Sequence, residues 1–269
     1  MNKRNIHHSR AFTLVELLVC IAILIVLGAI TIPAISGVRA RAKIAASSSN
    51  LRQLGQAANL YRIDNNNRML PLGEYDPQNE VMKEWCFSFR FDHISFSNGN
   101  LAPYLDNVEE VLRCPVWEPS EAYQQTNLMY PNFMGYGFNA LNTGERLEPE
   151  ESVSGSDGEW IGYHYSRVLK PSETVLFTTA ANKLNTEAVP PTQGMIWPPD
   201  HNTQPCVRLV NSHEAIVCMM DGSVRMMNAT TELQTSSDGV RLGYLDKDMD
   251  GNGDLDIWYP SPELHIVGK

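Results

Sequence analysis

The chain has 269 residues and carries 21 basic against 31 acidic side chains, a formal charge of −10. Apolar residues at 43% and aromatic residues at 9% supply enough surface to fill a core, which excludes general disorder. The acidic balance, with a pI near 5.2, excludes broad electrostatic binding to nucleic acid, which needs clustered Lys and Arg. The averages conceal a division. Residues 1–11 are +3, residues 12–63 are +4 and residues 64–269 are −17, so a basic stem precedes an acidic head.

Residues 1–11 form a short polar leader with Lys3, Arg4 and Arg10 and no acid. FTLVELLVCIAILIVLGAITIPAI follows over 12–35, with Glu16 its only charge. A run of about 20 apolar residues crosses a bilayer as one helix. The bases before it favour a cytoplasmic leader, although Arg39, Arg41 and Lys43 flank the other end. In an ordinary secretory signal the small-residue cleavage site follows a shorter apolar core. Here the small residue, Ala11, precedes it, so a cut between Ala11 and Phe12 removes the leader and leaves the membrane helix attached. Glu16 is equally unusual, because a carboxylate inside a membrane segment costs a few kcal/mol and points to a function. After such a cut Glu16 lies about one helical turn from the new α-amino group, on its own subunit or on a neighbour. An ammonium is the natural partner for a carboxylate in a low-dielectric setting.

AFTLVELLV at 11–19 resembles the cleavage and methylation signal of type IV prepilins and type II secretion pseudopilins. The resemblance implies that a prepilin peptidase in the membrane cuts after Ala11 and N-methylates Phe12. It also implies that Glu16 guides subunits into a helical filament by pairing with a neighbour's N-terminus. Ala11 stands where the family prefers Gly, a tolerated variant, and Pro33 falls where the family often carries a helix-kinking proline.

Over 36–63, Ile44, Leu51, Leu54, Ala58 and Tyr61 recur at steps of three and four, which predicts an amphipathic continuation of the helix. Pro33 and Gly37 predict a kink, and DNNNR from Asp64 predicts the stop. NLRQLGQAANLYRIDNNNRMLP at 50–71 is similar to pseudopilin-like proteins with large C-terminal domains, of the planctomycete and verrucomicrobial kind. The islands LAPYLDNVEEVLRCP (101–115), YGFN (136–139) and PSETVLF (171–177) continue that similarity.

The head, 64–269, is rich in turn residues and short apolar runs. TVLFTTA (174–180) reads as a buried strand. AIVCMM, Asp221-Gly222 and SVRMM read as a hairpin with a tight primed turn. His213 precedes that turn as a histidine does in the family, at a shorter spacing, and reads as packing and turn chemistry. The fold expected is α+β, pilin-like, with the long helix on an antiparallel sheet. Segments 74–100 and 115–165 read as loop insertions, where function often sits.

LDKDMDGNGDLDIW (245–258) is the strongest motif of the head. Asp246, Asp248 and Asp250 alternate before Gly251, converging hard oxygen ligands suited to calcium. Asn252 offers a backbone carbonyl, Asp254 binds directly or through water, and Asp256 stands one residue short of the acidic position that closes an EF-hand loop, where Ile257 sits. Five carboxylates within 246–256 repel one another without a cation. Cys20 lies in the membrane run. Cys86, Cys114, Cys206 and Cys218 allow three disulfide pairings in an oxidising compartment, or remain buried thiols. No CxxC, GxSxG, HExxH or Walker loop occurs, and the five tryptophans read as core before sugar platform.

The chain therefore reads as a non-enzymatic structural subunit, a pseudopilin of a type II secretion filament. Its expected partners are the prepilin peptidase, further pseudopilins and an inner-membrane assembly platform, with no nucleic acid. Its expected place is the inner membrane as a single-pass protein with a periplasmic head, then a periplasmic filament. The alternative is a minor pilin or tip adhesin whose head binds a glycan or a surface.

Overall fold

A single helix, α1 (Leu14–Asp64), opens the computed structural model and runs through Pro33 and Gly37 without interruption. The structure describes residues 14–71, 73–76, 80–90, 93–116, 134–139, 144–146, 160–184, 187–189, 196, 206–211, 213–229, 234–235, 240–243 and 245. The chain divides into two compact units, Met1–Lys43 and Ile44–Lys269, so the division falls inside α1.

In the second unit α1 presents Ser47, Leu51, Leu54, Ala57 and Ala58 as a fully buried stripe, with Ile44 and Tyr61 half-buried at its ends. The three- and four-residue spacing seen in the sequence is thus the face that enters the core. The helix ends where the asparagines supply left-handed backbone. Asn66 and Asn67 have φ of 54° and 61°, and the Asn67 amide donates to the Arg62 carbonyl at 2.9 Å. Asparagine tolerates that conformation better than most residues. The Asn65 side chain caps the Tyr61 carbonyl at 2.8 Å.

A four-stranded antiparallel meander follows: β1 (Glu74–Asp76), β2 (Val81–Lys83), β3 (Ser88–Arg90) and β4 (His93–Ser95). A short helix, α2 (Val108–Leu112), is capped by Asn107, whose side chain accepts from the Glu110 amide at 3.3 Å. Glu109 and Glu110 sit at its N-terminal turn, where carboxylates are favoured. The remaining strands are β5 (Tyr136–Phe138), β6 (Gly144–Arg146), β7 (Trp160–Gly162), β8 (Val175–Thr179), β9 (Asn182–Leu184), β10 (Glu187–Val189), β11 (Val207–Arg208), β12 (Glu214–Met219), β13 (Val224–Asn228), β14 (Gln234–Thr235) and β15 (Arg241–Gly243). The central sheet has the order β13-β12-β8-β5, antiparallel throughout, and a smaller sheet has the order β11-β15-β14.

This is the α+β architecture expected, with a second core added. Alternation along β12 sends Ile216 and Cys218 into the cluster that holds Leu51 and Leu54 of α1. Ala215, Val217 and Met219 enter a separate cluster with Val207, Leu209 and Leu245. The central sheet is covered on both faces, which explains why AIVCMM is apolar without a break.

Three expectations need correction. Segment 74–100 is no decoration: it forms the meander, and its Trp85, Cys86 and Phe87 are fully buried. Trp85 lies 5.2 Å from Phe177 and 6.0 Å from Phe138, ring centre to ring centre, tying the meander to the central sheet. Within 115–165, Tyr136–Phe138 is a core strand. The hairpin turn is not of a primed kind, since both primed types need φ > 0 at the first central residue and Asp221 has none. Gly222 alone in the turn has positive φ, +85°, its amide donating to Met219 and the Met219 amide to Ser223, at 2.9 and 2.8 Å. The pattern is a three-residue loop, Met220–Gly222, closed by a glycine in left-handed conformation.

The four head cysteines form no disulfide, and all are buried thiols. Each has been drawn into local packing: Cys114 Sγ lies 3.5 Å from Ser47 Oγ, and Cys86 Sγ lies 3.9 Å from Met134 Sδ. Burial pushes the Cys218 thiol up to about 12, which leaves almost no reactive thiolate.

A methyl group added at Gly55 would stand 2.6 Å from Cys218 Sγ, inside contact distance. Gly55→Ala should therefore lower stability by about 1–2 kcal/mol, overpacking outweighing the helix-propensity gain. Thermal unfolding measures this, and adding Cys218→Ala should restore most of the loss. Glu84 is 3% exposed, and burial raises its carboxyl pKa to about 8. Between the ordinary carboxylate range and that value the folded chain holds the extra proton, so stability falls as pH rises. Denaturant unfolding from pH 5 to 9 should show the fall, and Glu84→Gln should flatten it.

Candidate functional site

From 14 to 38, α1 carries fifteen large apolar side chains that are 48–79% exposed. Leaving each in water costs roughly 1.5–3 kcal/mol relative to burial. The total is on the order of tens of kcal/mol, more than the net stability of an ordinary domain. Such a surface requires lipid or other apolar helices around it. The polar exceptions are few. Thr31 donates back to the Leu27 carbonyl at 2.9 Å, with the Gly28 carbonyl at 3.2 Å, so its hydroxyl needs no water. The Cys20 thiol is exposed among the apolar side chains. α1 is the one described helix long and apolar enough to cross a membrane.

Glu16 lies in the first turn of α1, exposed amid Leu14, Val15, Leu17 and Leu18. A carboxylate at a helix N-terminus faces the positive end of the helix dipole. A carboxylate in an apolar surrounding attracts an ammonium strongly. Ala11 and Phe12 lie outside the described residues, as does the whole acidic loop from Asp246 through Asp248, Asp250, Asn252 and Asp254 to Asp256. Leu245, just before that loop, is fully buried and bridged to Ala229. The loop thus starts from an anchored residue. Among the described residues no cluster of three or more His, Cys, Asp or Glu side chains is present.

His213 is exposed, and its backbone amide donates to Asn211 Oδ1 at 3.1 Å, so it belongs to the turn that opens β12. His164 Nδ1 lies 2.7 Å from Ser166 Oγ in a short local turn. Trp85 is core; Trp117, Trp197 and Trp258 lie outside the described residues. The sequence did not single out a cleft of about 460 Å³ between the end of α1, the β1–β2 hairpin and the 97–104 segment. Its residues come from separate stretches with no motif spacing. The surest local hint was Glu74 and Asp76 at i and i+2 on a strand, which puts both on one face.

A family model described as the prokaryotic N-terminal methylation motif matches residues 6–32. No curated relative and no solved structure matches the chain. The matched segment covers the leader, Ala11, Phe12, Glu16 and most of the apolar run, so the chain carries a prepilin-type cleavage and methylation signal. With the exposed apolar helix, the signal points to membrane anchoring. It implies processing by a prepilin peptidase and assembly into pilus-like filaments.

Proposed function

We propose that this type IV pilin-like chain is a pseudopilin, a structural subunit of a type II secretion filament. The observation that carries the reading is the methylation motif at 6–32, which runs into a helix whose large apolar side chains over 14–38 are 48–79% exposed. On this reading the leader stays cytoplasmic, α1 crosses the inner membrane once, and the −17 head is periplasmic. Cleavage exposes the Phe12 amine. An assembly platform lifts the subunit from the bilayer, and Glu16 accepts the amine of a neighbouring subunit. Ion pairing sets the axial register, while burial of the apolar stems against one another supplies the affinity. The chain then works by assembly and not by catalysis, and its acidic head repels phosphate-rich nucleic acid. A surface pilus or minor pilin with a binding head is the competing reading, favoured by the cleft between α1 and the β1–β2 hairpin.

Calcium completes the proposal. Asp246, Asp248, Asp250, Asn252, Asp254 and Asp256 offer hard oxygen donors around Gly251, and a bound cation offsets their mutual repulsion.

Glu16→Ala should still yield an N-terminus at Phe12, read by mass spectrometry, yet should be absent from sheared filaments. Normal assembly of that variant refutes the role of Glu16. Deleting the chain should leave exported enzymes in the periplasm, and unchanged secretion moves the assignment to a surface pilus. Chelation with EGTA should lower the Tm of the full chain, an effect that Asp248→Asn with Asp250→Asn removes. An unaltered Tm on chelation speaks against calcium.

A further inference from the structure

We propose that Arg39, Arg41 and Lys43 form a collar around α1 that binds the phosphates of anionic phospholipids where the helix leaves the bilayer. The inference rests on α1 crossing a membrane, and it holds whether the filament serves secretion or a surface pilus. All three side chains are exposed, and they follow directly on Val38, the last of the exposed large apolar residues of the run. No acidic residue lies between Glu16 and Asp64, so the charge of that stretch is wholly positive. At 1.5 Å per residue, the helix from Leu17, just after Glu16, to Ile35 spans about 28 Å, close to the hydrocarbon thickness of a bilayer. Arg39 to Lys43 then stand about 6–12 Å further on, at and just beyond the headgroup layer. Side chains on a helix lean toward its N-terminus, which brings these three back into that layer.

Two features of the collar favour lipid over a protein partner. At about 100° per residue, Arg39 and Lys43 share one side of the helix, and Arg41 lies about 160° round from both. Headgroups surround a membrane helix on every side, whereas the acidic head of a neighbouring copy reaches one. The second feature is a groove on the side of Arg39 and Lys43. Its volume is about 580 Å³, and it lies wholly within the first unit. Ile32 and Ile35 line its N-terminal end and Arg39 and Lys43 its C-terminal end, with the small Ser36 and Ala40 between them. Apolar wall before basic wall is the order of a phospholipid met from the bilayer side, acyl chain and then phosphate. Arginine holds a phosphate through paired N–H donors, and lysine adds a point charge. A zwitterionic headgroup brings its own ammonium, which the collar repels, so the class selected is net-negative phospholipid. The collar also gives a role to bases at the far end of the span, where the preference for cytoplasmic Lys and Arg does not place them.

The test uses the full chain reconstituted in phosphatidylcholine vesicles that carry a trace of spin-labelled phosphatidylglycerol or spin-labelled phosphatidylcholine. Electron spin resonance measures how much of each probe is held in slow contact with the protein. Slow contact of the phosphatidylcholine probe reports insertion, so failure of the membrane reading shows separately from failure of the collar. At low salt phosphatidylglycerol should associate at least about fivefold more strongly than phosphatidylcholine. Arg39→Gln with Arg41→Gln and Lys43→Gln should lower that ratio about threefold or more, with the Tm of the head unchanged. Arg39→Lys with Arg41→Lys should keep most of it, because the charge stays. Equal association of the two probes with the unaltered chain overturns the proposal. So does a preference that survives the triple substitution and falls instead with Lys3→Gln, Arg4→Gln and Arg10→Gln in the leader. A triple variant that keeps the lipid preference but no longer forms filaments assigns the three cations to a neighbour's acidic head, and overturns it too.

Discussion

The close approach of α1 to β12 is the constraint on which the head depends. Gly55 leaves room for Cys218 Sγ, and Asn59 stands over Gly222, where a methyl group would meet its Nδ2 at 3.2 Å. A larger residue at either position separates helix from sheet, and the seam that Leu51, Leu54 and Ala58 close against Ile216 and Cys218 opens with it. Interiors this dense do not absorb a methylene without displacement. The turn after β12 is therefore as much a packing feature as a connection, and its left-handed glycine serves both needs.

Where α1 enters the second unit its chemistry reverses. Residues 44–64 bury one stripe and expose mostly polar side chains, Leu60 and Ile63 being the large apolar exceptions; the large apolar side chains described over 14–38 are exposed. A helix apolar on every face is stable only in lipid or among other such helices. On the proposed reading, processing and assembly draw on that property and on two local groups, an amine created at Phe12 and the Glu16 carboxylate. On that reading both would act through charge in a setting of low dielectric, where an ion pair gains its geometric selectivity from the cost of leaving either partner alone.

The head keeps polar groups where apolar ones would be simpler to bury. Glu84 is held largely protonated by burial at pH values below about 8, and Asn100 carries an amide hydrogen with no acceptor in the protein. They are neighbours through backbone, the Asn100 amide donating to the Glu84 carbonyl at 2.9 Å.

The sequence by itself determined the parts whose physics is local. The apolar run, Glu16, the order of Ala11 before it, the stripe from Ile44 to Tyr61, the asparagine stop and the strands at 174–180 and 215–227 are set by composition and spacing within one stretch of chain. Tertiary structure decided the rest. The three-residue strands of 74–95 are too short for a period to show, and Trp85, Cys86 and Phe87 are core only because the meander folds them onto Phe138 and Phe177. The four head cysteines are buried thiols, with Cys86 against Met134 and Cys114 against Ser47, contacts that no sequence spacing indicates. The cleft joins Tyr61, Glu74, Lys83, Asn100 and Tyr104, residues whose sequence positions share no pattern. A cleft assembled from separate segments has no one-dimensional signature, whereas a long apolar helix with its cleavage signal is one-dimensional by nature.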